Sequence, residues 1–192
     1  SWRSTAWARR VTLPGKPEAP FNYVINATRE GARRALQLLL DRGHRRIMYL
    51  RETGKARFLV EQMDLAVREM EQQRPDLKLE WVDISRKCED LPVERFRQPL
   101  PPTAILSYNY AMAEEAIGVL AAAGYRVPDN LEVVSCYSFQ SEKGWVSTIV
   151  VDDFEIARLA AEAIQKLIEQ PDYRVRLEVP AELIQRKTTK AQ

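Results

Sequence analysis

The chain has 192 residues, a length for one large or two small domains. Its hydrophobic content of 45%, charged content of 29% and formal net charge of +2 are ordinary for a globular protein and give no electrostatic case for nucleic acid or a membrane surface. No apolar run of about 18 residues marks a membrane span, the N-terminus lacks the apolar core of a secretion signal, and two isolated cysteines, Cys88 and Cys136, suit a reducing compartment, so a cytoplasmic setting is expected.

Residues 1–20 show no periodicity; they carry Trp2 and Trp7 and a Pro- and Gly-rich loop. Phe21 to Ile25 reads as a strand, and Thr28 as the cap of the helix that follows. In that helix Ala32, Ala35, Leu36, Leu39 and Leu40 share one face, and Gly43 stops it. Ile47 to Leu50 is a short apolar run, suited to a strand buried on both sides. A second helix covers 57–73, with Leu59, Met63, Ala66, Val67 and Met70 inward and Pro75 closing it. Leu79 to Ile84 is a strand, and 86–98 is weakly helical with Pro92 at its start. Thr103 to Ser107 is a third strand of this layer, followed by a helix from Tyr110 to Ala123 that ends at Gly124. Leu131 to Cys136 is a strand, 137–147 reads as a surface loop, and Thr148 to Val151 is a short strand. Asp152 and Glu155 form a D-x-x-E capping pair for a helix with Ile156, Leu159, Ala160, Ala163, Ile164 and Leu167 on one face. Strands at 175–179 and 183–184 close the chain. Strands alternating with helices predict the α/β class, an open parallel sheet with helices on both faces.

The familiar chemical signatures are missing. The sequence holds no G-x-G-x-x-G, no P-loop and no G-x-S-x-G elbow. One histidine and two separated cysteines cannot furnish a zinc site, so neither metal nor cofactor is expected. His44, at a helix exit, reads as a turn residue rather than a general base, and the Asp152-Asp153 pair is better explained by helix capping than by metal binding. The arginine pairs 33–34 and 45–46 read as solvated faces.

Four segments together resemble the LacI/GalR family of bacterial transcription regulators: Gly31…Gly43-His44-Arg45-Arg46-Ile47; Pro102-Thr103-Ala104…Asn109…Ala113; Val127-Pro128-Asp129-Asn130-Leu131-Glu132-Val133-Val134; and Val179-Pro180-Ala181-Glu182-Leu183-Ile184-Gln185-Arg186-Lys187-Thr188-Thr189. The resemblance runs over residues 21–189, and the closing P-x-x-L-I-x-R-x-T-T is its most telling part. It implies a two-lobed, periplasmic-binding-protein-like effector domain that holds a small molecule between Rossmann-like lobes, pairs as a homodimer, and controls operator DNA through an N-terminal helix-turn-helix head. By this analogy residues 1–25 are a remnant of the N-terminal lobe, 26–146 the C-terminal lobe, 147–179 the return crossing, and 180–192 the final strand and tail. Most of the N-terminal lobe and the DNA-binding head have no expected counterpart in this chain.

The resemblance also nominates residues. Asn109 matches the family's ligand-contacting Asn, while Tyr110 takes the acidic position after it. Tyr137 replaces the first Asp of a Gly-x-Asp-Asp element. Leu59 stands at the Arg of an R-x-x-G element, with Arg57 two residues away as its substitute. Losing Arg and Asp argues against ordinary sugar recognition, and the tyrosines suit a flatter or more apolar ligand. For the homodimer, the segments equivalent to 111–123 and 137–146 offer Met112, Ile117, Phe139 and Trp145. The expected function is thus that of the effector-binding and dimerisation portion of a repressor-like regulator, and not an enzyme. The alternatives are an interaction scaffold that has lost ligand sensing and an α/β enzyme built on Glu52, Asn109 and Tyr137.

Overall fold

A computed structural model describes residues 11–12, 22–52, 57–85, 87–139 and 144–190. The elements run β1 (Val11–Thr12), β2 (Asn22–Asn26), α1 (Thr28–Asp41), β3 (Arg46–Glu52), α2 (Arg57–Gln73), β4 (Lys78–Ile84), a 3-10 turn (Val93–Arg97), β5 (Ala104–Ser107), α3 (Tyr110–Ala122), β6 (Glu132–Phe139), β7 (Ser147–Val151), α4 (Asp153–Glu169), β8 (Arg176–Val179) and β9 (Glu182–Ile184). The leader with Trp2 and Trp7 lies outside the described residues.

Two sheets form. The large one has the order β4-β3-β5-β6-β7-β9 and is parallel except at β9, which runs antiparallel to β7. The small one, β1-β2-β8, is parallel throughout. All four residues of β5 and four successive residues of β3 are buried, so both faces of the large sheet are covered. The α/β reading with a largely parallel sheet therefore holds. The chain passes between the sheets three times: at Ala27 from β2 into α1, at Asp152 from β7 into α4, and at Pro180 from β8 into β9.

Local chemistry accounts for the helix ends. Gly43 and Gly124 adopt φ values of 88° and 90°, which L side chains resist. At both, the amide beyond the glycine reaches back five residues (His44 to Leu39 O at 3.0 Å, Tyr125 to Leu120 O at 2.9 Å), while the glycine amide reaches back three. These bonds satisfy carbonyls that the helix leaves open. Thr28, expected as a cap, is instead the first residue of α1. Ala27 holds the cap position, and the Thr28 hydroxyl turns back to Asn26 O. Asp152 does cap α4, accepting the Glu155 amide at 2.9 Å, but the Glu155 carboxylate pairs with Arg158 instead of returning to the cap.

Four further readings change. Among the described residues of 86–98 the helical part is one 3-10 turn, preceded by Pro92. Strand β6 continues to Phe139, so the surface loop is shorter than 137–147. Strand β7 belongs to the large sheet, so the crossing starts after Val151 and not at 147. Ile164, assigned to the inner face of α4, is exposed there with Phe154 and Ile168, while Ala160 and Ala163 pack on Val24, Val175 and Val179 and Leu167 is buried.

The expected face of α1 (Ala32, Ala35, Leu36, Leu39 and Leu40) is buried as read, against β6 and β7. Gly31 sets how close it comes. A Cβ there would meet Ile149 Cγ2 at 2.9 Å. Beside it, Arg29 and Arg33 both pair with Glu69 and tie α1 to α2.

At the foot of β6, Glu132 is 3% exposed. Arg42 meets it with two nitrogens, Nε to Oε2 at 2.5 Å and Nη2 to Oε1 at 3.0 Å. The Lys190 amide donates to Oε1 at 3.1 Å, and His44 Nε2 lies 3.4 Å from Oε2. Burial by itself would raise the Glu132 carboxyl, but the Arg42 and Lys190 donors and the Arg42 charge outweigh it and hold the group below the usual range. Burial lowers His44 beneath 6.5 despite the attraction of Glu132.

Both depressions act in one direction. The unfolded chain binds the protons more readily, so stability is full above the unfolded values and is lost as pH falls. The melting midpoint should drop first as pH passes below about 6.5, as His44 takes a proton on unfolding, and further through the carboxylate range. His44→Gln should remove the first limb, and Glu132→Gln should cost about 3 kcal/mol at neutral pH by orphaning Arg42; a flat profile to pH 5 would contradict the network's role. Gly31→Ala should cost about 1–3 kcal/mol by overpacking and much less in an Ile149→Ala background, read by urea denaturation of the four proteins.

Candidate functional site

The carboxyl ends of the parallel strands, where α/β folds place their ligands, lie beside the crossings. There the structure holds a cavity of about 270 Å³. Its walls come from both sheets: Val24, Ile25 and Asn26 end β2, Tyr137 and Phe139 end β6, and Val151 ends β7. Leu59 of α2 and Asp153, Ile156 and Ala157 of α4 complete it. The lining is mostly apolar, with Asn26 and Asp153 as its polar members.

Strand β6 carries a register shift between Ser135 and Ser138, next to its two aromatics. The Ser135 hydroxyl donates to Tyr137 O at 2.9 Å at this irregularity. Tyr137 and Phe139, two residues apart, then share a side and meet edge-to-face at 5.2 Å.

Of the nominated ligand residues, the cavity brings Leu59 and Tyr137 together. Arg57 opens α2, and its side chain lies outside the described residues. Asn109 sits at the same end of the sheet but off the cavity, engaged at both side-chain atoms. Its Oδ1 accepts the Met112 amide at 2.8 Å as the cap of α3, and its Nδ2 donates to Glu52 at 3.2 Å. Tyr110 is buried. Its hydroxyl donates to Glu114 at 2.9 Å and accepts the Trp145 amide at 3.1 Å. Gly144 lies so close over the ring that a Cβ there would overlap the hydroxyl, at 1.6 Å. Tyr110 thus pins the approach to β7 and presents no face to a ligand. Its hydroxyl stays protonated, since burial and the Glu114 carboxylate both raise it.

The dimer nominations separate likewise. Met112 is fully buried and Ile117 is buried beside it, both within the core under α3. They present nothing to a second chain as the helix stands. Phe139, 44% exposed, belongs to the cavity wall. Trp145, 38% exposed, lies on another surface, beside the residues that follow β9.

The residues missed by sequence reading are those of β2, β7 and α4. Their only sequence mark is that each adjoins an element end, Asn26 before α1 and Asp153 after the Asp152 cap. Among the described residues no group of three or more His, Cys, Asp or Glu could hold a metal ion. Both cysteines are buried, the Cys88 thiol donating to Met112 O at 3.6 Å, and burial pushes the Cys88 thiol up to about 12.

Comparison with known proteins agrees with this fold. A curated helix-turn-helix-type transcriptional repressor, PurR of Mannheimia succiniciproducens, is 28% identical over 183 residues, covering 88% of this chain and 53% of the relative. The chain therefore spans about half the length of that relative. A LacI-type putative transcriptional regulator from Bacillus cereus subsp. cytotoxis superposes with a TM-score of 0.76 at 23% identity, over 95% of this chain and 68% of the other. A LacI family regulator from Enterococcus faecium, solved with bound ribose, superposes with a TM-score of 0.75 at 18% identity, over 93% and 69%. The family model for the periplasmic binding protein-like domain matches residues 36–189, most of the chain, and to that family the chain belongs.

Proposed function

We propose that the chain is the effector-sensing core of a LacI-type transcription regulator. The observation that carries this reading is the position of the cavity, walled by both sheets at the places where the chain crosses between them. A ligand seated there touches both sheets at once and favours one of their arrangements over the other. Such differential affinity is what a sensor needs to shift a population. The curated relative is named a repressor and the Enterococcus regulator holds ribose, which supports a small-molecule effector here.

At about 270 Å³ the cavity lies near the lower end of the usual ligand range. Its apolar wall suits a compact ligand with one flat apolar face against Tyr137, and Asn26 and Asp153 supply the polar contacts. Asn109 and Tyr110 act as structural residues around it. Glu52, accepting from Asn109, does the same, which supports the binding reading over an enzyme built on these groups. A homodimer through the outer side of α3 fits the small exposed residues Gly118, Ala121 and Ala122, which let a second helix approach closely. Operator contact belongs to a separate DNA-binding head of the longer protein, and the setting is cytoplasmic.

The scaffold reading, in which sensing is lost, draws on the internal use of Asn109 and Tyr110. Thermal-shift and calorimetric screening with sugars, sugar phosphates and purines separates the two. One class should raise the melting midpoint, and Tyr137→Ala should weaken that ligand about tenfold or more, about 1.4 kcal/mol. Tyr110→Phe should leave affinity unchanged while lowering stability by about 1–2 kcal/mol. Stabilisation by none of these classes would support the scaffold instead.

A further inference from the structure

Among the described residues, three buried side-chain polar atoms have no hydrogen-bond partner in the protein: Tyr49 Oη, Arg51 Nε and Asp64 Oδ1. All three belong to one cluster between β3, β4 and α2. Tyr49 and Arg51, two residues apart, share a side of β3. Arg51 reaches α2 through Nη1, which donates to Asp64 Oδ2 at 2.9 Å, and β4 through Nη2, which donates to Asp83 Oδ2 at 2.6 Å. Trp81 closes the cluster from β4. Its ring meets Tyr49 edge-to-face at 5.1 Å and lies 5.3 Å from the Arg51 guanidinium. Tyr49 is fully buried. Burial, then Cys136 and Asp64, raise its hydroxyl, which stays protonated.

A buried donor or acceptor left unpaired loses its water and gains nothing for it, so three such atoms in one place call for a common partner. Their needs are complementary. The Nε–H group can only donate, the carboxylate oxygen accepts, and the hydroxyl does either. Nε and Oδ1 sit on groups already joined through Nη1 and Oδ2, which fixes their separation. Charge narrows the partner further. Asp64 and Asp83 flank the site against an anion. The Arg51 guanidinium, with that of Arg68 over the Trp81 ring at 4.6 Å, opposes a cation. What fits is small and neutral, and both donates and accepts.

We infer that Tyr49, Arg51 and Asp64 enclose one ordered water molecule, which accepts from Arg51 Nε, donates to Asp64 Oδ1 and bonds Tyr49 Oη. Three bonds are the usual complement of a buried water. The water completes the joint that holds α2 on the sheet, and α2 is the helix that carries Leu59 into the cavity wall. The inference rests on the cluster alone and stands whether or not that cavity senses an effector.

Two measurements on the 192-residue chain test this. In a crystal structure fine enough to order solvent, one water oxygen should lie within about 3.2 Å of all three atoms. Tyr49→Phe keeps the ring against Trp81 and removes only the hydroxyl. It should lower the melting midpoint by about 2–4 °C, because a bridging bond is lost. A hydroxyl with no partner predicts the opposite sign, since deleting an unpaired buried polar atom relieves its desolvation. A midpoint that is unchanged or raised in Tyr49→Phe would overturn the inference. So would a crystal structure in which Tyr49 Oη bonds Asp64 Oδ1 directly, or in which no water touches the three atoms. The crystal structure decides by itself if Tyr49→Phe does not fold.

Discussion

Glu132 is an acid in a place that tolerates a charge only if it is matched. At the foot of β6 it has lost nearly all its water, a loss worth several kcal/mol for an unpaired ion. The Arg42 fork restores it with two donors in a geometry made for a carboxylate. Arg42 is also the last residue of α1's capped end, and its Nη2 reaches Lys190 O at 2.6 Å. One carboxylate therefore joins the end of α1, the start of β6 and the returning tail. The hydroxyls of Ser147, Thr188 and Thr189 continue the joint by bonding one another and the strands they flank. The tail docks as an ordered segment because this polar seam is nearly closed.

The two ends of the large sheet thus have different characters. The amino ends are locked by ions and hydroxyls. At the carboxyl ends, the chain leaves the large sheet for the small one, and the contacts there are mostly apolar. Apolar walls slide and repack at less cost than a buried ion pair breaks. A rigid end opposite an adaptable one fits the proposed sensing role, in which a ligand shifts the mutual arrangement of the two sheets.

Much of the fold was legible because its determinants are local. Gly43 and Gly124 end helices through bonds that span a few residues, and the apolar spacing of α1 has one outward interpretation. The α3 helix was less readable for a physical reason. Met112, Ala113, Ala116, Ile117 and Leu120 face inward, while its outer side carries Ala111, Gly118, Ala121 and Ala122. Only Glu114 and Glu115 mark its solvent side by charge, and the family pattern, which offers this helix for pairing, led to the bulky Met112 and Ile117 being taken for a surface. Tyr110 was misplaced for another reason. Its role depends on Gly144 and Trp145, more than thirty residues away, and nothing near it in sequence signals that contact. The cavity was half legible: Tyr137 and Leu59 came from the family pattern, whereas Asn26, Val151 and Ile156 enter it only because the chain crosses between sheets.

That crossing carries a consequence for synthesis. β2 pairs with β8 in the register Tyr23 to Arg176, and Asn22 Oδ1 accepts the Val175 amide at 2.9 Å. At roughly 5–20 residues per second on a ribosome, the intervening stretch takes on the order of ten seconds to emerge. The strands β3 to β7 all appear within that interval and can pair among themselves. β2 meanwhile has an unsatisfied edge and an apolar Val24-Ile25 pair with no lasting partner. The small sheet therefore closes only once β8 has emerged, just before β9 and the tail complete the large sheet.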